Sequence, residues 1–232
     1  RHGFAVGANN DVSPIDLGSS GLNSEIDNWE RVLKKHDPAR TLKDLVTMNQ
    51  VHGGQVMRVT SGRGPVVPIG DVDGCVTTRP DLVLAVRTAD CCPILLGCAS
   101  GVGVAHAGWR GVAANVVGNT VELLKAVTGC PVEEVHAVIG PCISSENYQV
   151  GIDVIDGIAC SGVPTSIFVR ESTEGLYADI GAAILWQLNH IGVTRVERIA
   201  KCTFSDSRLH SYRRDGGNAG RLAGLISRSA NI

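Results

Sequence analysis

Three side chains able to bind a metal or attack a substrate lie in glycine-flanked turns of this chain. They are His52 in NQVHG (49–53), Cys91 in AVRTADCCPILL (85–96) and His106 in VAHAGWRG (104–111). Two imidazoles, one thiolate and a fourth position left open are what a hydrolytic zinc site requires. The same residues also suit a metal-free Cys–His pair, with Cys91 attacking and His106 as base. The separations are too long for a zinc finger, whose ligands come in close pairs. Catalytic metals instead draw ligands from several strand ends, and each candidate here abuts an apolar, strand-like run. Cys91 and Cys92 compete for the role, because neighbours on an extended backbone point to opposite faces.

Other residues could complete such a site. Asp90, beside Cys91, and Asp73 are candidate acid/base groups, and both residue types are also common in turns. Arg110, in a Gly-Trp-Arg-Gly turn opening a helix, suits a phosphate oxyanion. Arg213 and Arg214, in YRRDGG, are the other basic candidates, with pairing to Asp215 as the plain alternative. Trp109 could stack on a flat ring or simply pack. Cys142, in GPC, is a candidate second pocket thiol.

The elements that must position these residues are legible from periodicity. Ser24 reads as the N-cap of a helix presenting Ile26, Trp29, Val32 and Leu33, and ending near His36–Pro38. Strands are expected at 45–49, 55–60, 74–78, 82–87, 94–96, 102–106 and 135–139. One helix is expected over Val112–Val127, closed by Gly129, and another over Ala178–His190. A further strand follows at Val193–Ile199, and the tail is a glycine-rich turn leading into a short final element. Residues 1–23 read as mostly loop with a short strand. Strands outnumber helices and are joined by short turns, so the fold class is a mixed α/β layered domain, one domain over 1–232.

Composition narrows the function. The chain has 21 basic and 23 acidic residues and a net charge of −2, which argues against a dedicated nucleic-acid surface. Aromatic content of 4% leaves few stacking platforms for single strands. No apolar run is long enough to span a bilayer, and none reads as a signal peptide. Eight cysteines at irregular spacing inside apolar runs suggest reduced, mostly buried thiols, hence a cytoplasmic protein. It is expected to be a monomer or a small homo-oligomer.

Taken together, NQVHG, TADC (88–91), HAGWRG, IGPCIS with Tyr148 and Val150, and CT with SYRRDG (202–216) resemble the signature blocks of one family. It is the laccase-domain or YfiH-like family, known as multicopper polyphenol oxidoreductases and as purine nucleoside phosphorylases. The blocks run in family order from about residue 45 to 225. The resemblance implies a four-layer α/β/β/α sandwich like the catalytic domain of cytotoxic necrotizing factor. It implies zinc held by His52, Cys91 and His106, and so favours Cys91 over Cys92. It implies phosphorolysis of inosine, adenosine or methylthioadenosine with phosphate, accompanied by adenosine deamination. The N-terminal region departs from the family pattern, offering only HGF (2–4), VS (12–13), DLG (16–18) and Asn28 followed by Trp29. Two rivals remain at this point. A copper polyphenol oxidase fits the family's older name, yet seven scattered histidines without H-x-H pairs are few for several copper centres. A metal-free Cys–His hydrolase, including one that edits peptidoglycan precursors, fits the fold relative.

Overall fold

Residues 22–228 are described by the structure, a computed structural model. The short strand and the divergent motifs expected before residue 22 lie outside the described residues.

Helix α1 (Leu22–His36) is followed by β1 (Leu45–Val46), β2 (Val56–Arg58), β3 (Gly74–Thr77), β4 (Val83–Thr88), β5 (Cys92–Cys98) and β6 (Gly101–Ala107). Helices α2 (Trp109–Ala113) and α3 (Val116–Thr128) lead to β7 (His136–Ile139) and β8 (Gln149–Val150). Then come α4 (Ile152–Ala159), α5 (Thr165–Phe168), β9 (Val169–Ser172), β10 (Gly175–Ala178) and α6 (Ile180–His190). The chain continues through β11 (Arg195–Arg198), α7 (Tyr212–Asp215) and β12 (Leu222–Ser227).

These strands form three sheets: β11-β7-β5-β6-β3-β2 and β1-β4-β12, both mixed in direction, and β8-β10-β9, which is antiparallel. The fold class is mixed α/β, as the sequence implied. The period of two in β5 explains how the first two sheets stack. Cys92, Ile94 and Leu96 point into a core shared with α2, α3, α4 and α6. Leu95 points the other way, joining Val46, Leu84, Val86, Val104 and Ile226 in a second core against the smaller sheet. The far face of that sheet is covered by α1, whose Trp29 and Leu33 are fully buried on Leu45, Val83 and Leu225.

Two expectations are corrected. Ser24 lies inside α1 and does not cap it, because the helix already includes Leu22. The apolar run over Val112–Val127 is two helices, broken at Asn115, which adopts φ 53°. Asparagine tolerates that left-handed conformation better than other residues with a side chain, and a purely apolar periodicity is blind to it. The thiols are mostly buried or half-buried, as expected, and Cys160 is exposed. Helix α4 had no counterpart in the expected elements. Its Gly157 lowers helix propensity but is needed there: a Cβ would lie 2.9 Å from the Trp109 ring. Gly129 closes α3 at φ 69°, as expected.

Candidate active site

The ends of β5 and β6 and the turn before β2 converge. His52, Cys91 and His106 each offer one ligand atom, and these atoms lie within 4.8 Å of one another. The two imidazoles meet edge to face, with centroids 4.8 Å apart. Gly108 roofs the cluster, and a Cβ there would lie 2.8 Å from Cys91 Sγ. The missing side chain thus keeps the sulfur's surroundings open. Imidazole and thiolate donors of this kind suit zinc, copper or nickel.

Asp73 is the keystone behind the cluster. Fully buried, it accepts hydrogen bonds from the backbone N–H groups of Val51 (3.2 Å), His52 (2.9 Å) and Gly53 (2.6 Å). This nest of donors holds His52 at φ 63°, a conformation costly for a residue with a side chain. The same carboxylate lies 2.8 Å from His106 Nδ1, fixing the ring so that Nε2 is the atom left for a ligand. Asp73 therefore orients two donors at once. Burial opposes its charge, but the bonds from His106, Gly53 and His52 hold its carboxyl below the usual range.

The charges of the cluster reinforce one another. Burial works against a thiolate at Cys91, but hydrogen bonds with His106 and His52 outweigh it and bring the thiol down to about 7. Burial likewise disfavours a charged His106, but Asp73 and Cys91 raise it to about 9. Cys92 is buried in the core with Sγ toward the Gly140 carbonyl, as the alternation of an extended strand requires.

Asp90 sits at φ 91° immediately before Cys91. Its Oδ1 accepts the Thr203 hydroxyl at 2.6 Å and its Oδ2 the Arg213 backbone N–H at 2.6 Å. Both oxygens thus tie the TADC turn to the C-terminal segment, which gives Asp90 a positioning role.

The cluster opens into a cavity of about 670 Å³. Arg110, Arg213 and Trp109 line it, together with Tyr148, Arg87 and Arg221. The Arg110 guanidinium lies 4.3 Å over the Trp109 ring, whose edge packs on Gly157. With that face covered, Trp109 walls the cavity and carries Arg110; it is not a free stacking platform. Arg213 sits 5.2 Å over Tyr148 and donates to the Gln149 carbonyl.

Residues 22–229 match the family model described as multi-copper polyphenol oxidoreductase laccase. The chain belongs to this family. A purine nucleoside phosphorylase of Mycobacterium tuberculosis is 36% identical over 184 residues, 78% of this chain and 71% of the relative. One from Pseudomonas aeruginosa is 33% identical over 225 residues, 93% of this chain and 88% of the relative. The crystal structure of YlmD from Geobacillus stearothermophilus superposes with a TM-score of 0.86 at 30% identity, covering 93% of this chain and 85% of that one. That of YfiH from Bacillus licheniformis gives 0.85 at 29%, covering 93% and 86%. Although the family's description points to copper, the three-donor cluster found among the described residues has room for a single cation. No helix among the described residues is long and apolar enough to cross a membrane.

Two motif residues of this laccase-family chain stand apart from the centre. Arg214 does not line the cavity. Its guanidinium pairs with Asp215 at 2.7 Å and donates to the carbonyls of Thr203, Phe204 and Leu209. Four-residue α7 thus turns Arg213 and Arg214 to different tasks, and Arg214 pins the loop that supplies Thr203 to Asp90. Arg214→Ala is expected to lower stability by about 2 kcal/mol, since several carbonyls lose a charged donor. Denaturant titration checks this; an unchanged midpoint would refute the role.

Cys142 lines a separate depression, opposed to Cys202 in an isolated parallel bridge, and so is not a second thiol of the centre. Cys202 Sγ accepts from Ser144 N and Asn147 Nδ2, both at 3.4 Å. Burial opposes its thiolate, but hydrogen bonds from Ser144 and Ser205 outweigh it and lower the thiol to about 7. The thiolate is the nucleophile, so the iodoacetamide labelling rate of Cys202 is expected to rise through pH about 7, well below the ordinary 9. Peptide mapping across pH 5 to 10 measures it; a midpoint at the ordinary value would contradict the arrangement.

Proposed function

We propose that this chain is a zinc-dependent purine nucleoside phosphorylase with accompanying adenosine deaminase activity. The observation that carries the reading is the His52, Cys91 and His106 cluster opening into a cavity with Arg110 and Arg213 on its walls. The Mycobacterium tuberculosis and Pseudomonas aeruginosa relatives, both named purine nucleoside phosphorylases, support the substrate class. His52, Cys91 and His106 would hold the cation, which when bound supplies Lewis acidity.

Phosphorolysis breaks the bond from C1′ of the sugar to N9 of the purine and forms one from C1′ to a phosphate oxygen. The base leaves with a proton, and the sugar passes through a cationic state. Arg110 and Arg213 provide fixed guanidinium groups for the phosphate. The Tyr148 phenol is pushed up to about 12, first by burial and then by the negative charge of Cys91, so it remains an O–H donor at neutral pH. Asp73 keeps the His106 ring in place throughout. Deamination, by contrast, adds water to C6 of adenosine and releases ammonia, leaving inosine.

Chromatography of inosine, adenosine or methylthioadenosine with the purified protein tests this reading. Free base is expected to form only when phosphate is present. Arg213→Ala is expected to raise the KM for phosphate about tenfold, as loss of a charge-assisted contact implies. Base release at the same rate without phosphate would discard phosphorolysis.

A second reading draws on the charge state of Cys91 and His106, which is also that of a Cys–His nucleophile pair. In that case a chelator leaves turnover intact and iodoacetamide at Cys91 abolishes it. Copper polyphenol oxidation rests on the family's description alone; copper loading that yields no phenol oxidation and no charge-transfer absorbance excludes it.

A further inference from the structure

The cavity carries two sets of guanidinium groups on different elements. Arg110 on α2 and Arg213 on α7 flank Tyr148. The second set comes from the sheet. In the antiparallel pair of β4 and β12, Arg87 lies opposite Ala223. Arg221 is two residues before Ala223, so it shares the face of Arg87 and occupies the diagonal position. That diagonal spacing of about 7–8 Å is within reach of two long side chains. Both residues line the cavity.

Their local partners do not neutralise them. Arg221 Nη1 donates to the carbonyls of Ala219 and Gly220, at 2.7 and 2.9 Å, and makes no ion pair among the described residues. Arg87 has a single long contact, 3.5 Å to Glu25 on α1. Burial, partly offset by Glu25, and the charge of Arg221 both lower the Arg87 pKa, so the Arg87 guanidinium is held where its charge is costly. Like charges on one face of a ladder are destabilising unless an anion lies between them. Asp90, the carboxylate in the cavity lining, has both oxygens bonded, to Thr203 and to the Arg213 backbone.

We infer that Arg87 and Arg221 form a second phosphate subsite, separate from Arg110 and Arg213. The phosphate is carried on a purine nucleoside as a 5′-monoester or supplied free. The nucleoside part of this inference rests on the function proposed above; the phosphate part does not. Two guanidinium forks on adjacent strands match the oxygens of one phosphate group. A neutral nucleoside with a single orthophosphate at Arg110 and Arg213 would leave this pair unused.

Calorimetric titration of the metal-replete protein with inosine, inosine 5′-monophosphate and orthophosphate separates the cases. If the group is an ester, the monophosphate binds at least about tenfold tighter than inosine, and Arg221→Gln and Arg87→Gln each remove that advantage while leaving inosine affinity unchanged. If it is free phosphate, the two variants weaken orthophosphate about tenfold and the monophosphate shows no advantage. Either result supports the subsite. Should a glutamine variant lose its fold, Arg221→Lys, which keeps the charge but loses the fork, is expected to give an intermediate effect. Unchanged affinities for both phosphate compounds in the variants overturn the inference. A protein that neither binds nor cleaves inosine, but holds phosphate in an Arg221-dependent manner, overturns the nucleoside reading instead.

Discussion

Cys91→Ala is expected to strip the centre of its cation and to reduce nucleoside turnover by about 10³-fold or more. Loss of an outer partner alone costs about 10–100-fold in metal affinity or activity, and loss of the thiolate removes the charged ligand itself. Two imidazoles would remain, 4.8 Å apart between centroids, with no thiolate to balance a divalent ion. The cavity left by the sulfur would be widened by Gly108, which has no side chain to fill it. Elemental analysis and chromatography on the same preparation measure both effects. Wild-type protein treated with chelator should lose turnover and recover it on return of zinc. Metal content and turnover both unchanged in Cys91→Ala would remove the centre from the mechanism. Loss of turnover with a chelator-insensitive wild type would point to direct attack by the thiol.

The choice between Cys91 and Cys92 shows how far periodicity reaches: it left the choice open, and the family resemblance favoured Cys91. The period of two in an extended strand puts one of them in the core and the other at the strand mouth, and β5 begins at Cys92 with its thiol fully buried. The same reasoning located β3 to β6 within a residue or two, because buried strands of valine and leucine between glycine turns leave little choice. What failed depended on single residues acting against a pattern. Asn115 breaks one apolar run into two helices by adopting a left-handed backbone, and Gly157 sits in α4 because the Trp109 ring needs the space. Side-chain assignments failed where a partner was distant in sequence. Arg213 and Arg214 are adjacent and identical in type, and only the carbonyls of the 203–209 loop separate their roles. Arg87 and Arg221 meet through the β4–β12 register, which no local motif encodes. Tyr148 stood inside a recognised block, but nothing in that block distinguishes a cavity phenol from a packing one.

Asp73→Asn tests how far the centre depends on a residue that touches no cation. In the wild type one carboxylate oxygen accepts from His52 N and faces His106 Nδ1, while the other accepts from Val51 N and Gly53 N. An amide keeps one acceptor and replaces the other with an NH₂ donor, so one of these two pairs meets a donor. Whichever way the amide turns, two buried groups lose their acceptor, at a cost of about 1–3 kcal/mol each. We expect a loss of roughly 3 kcal/mol in stability, read by denaturant titration. We also expect metal affinity to fall about 10–100-fold, because the VHG turn loses the anion that holds His52 at positive φ and His106 loses its fixed orientation. Asp73→Glu, which restores the charge but displaces it by a methylene, should recover stability only in part and metal affinity least. The two readouts separate the roles: a variant that is destabilised yet binds metal as tightly as wild type would make Asp73 a fold residue and free the histidines from its control.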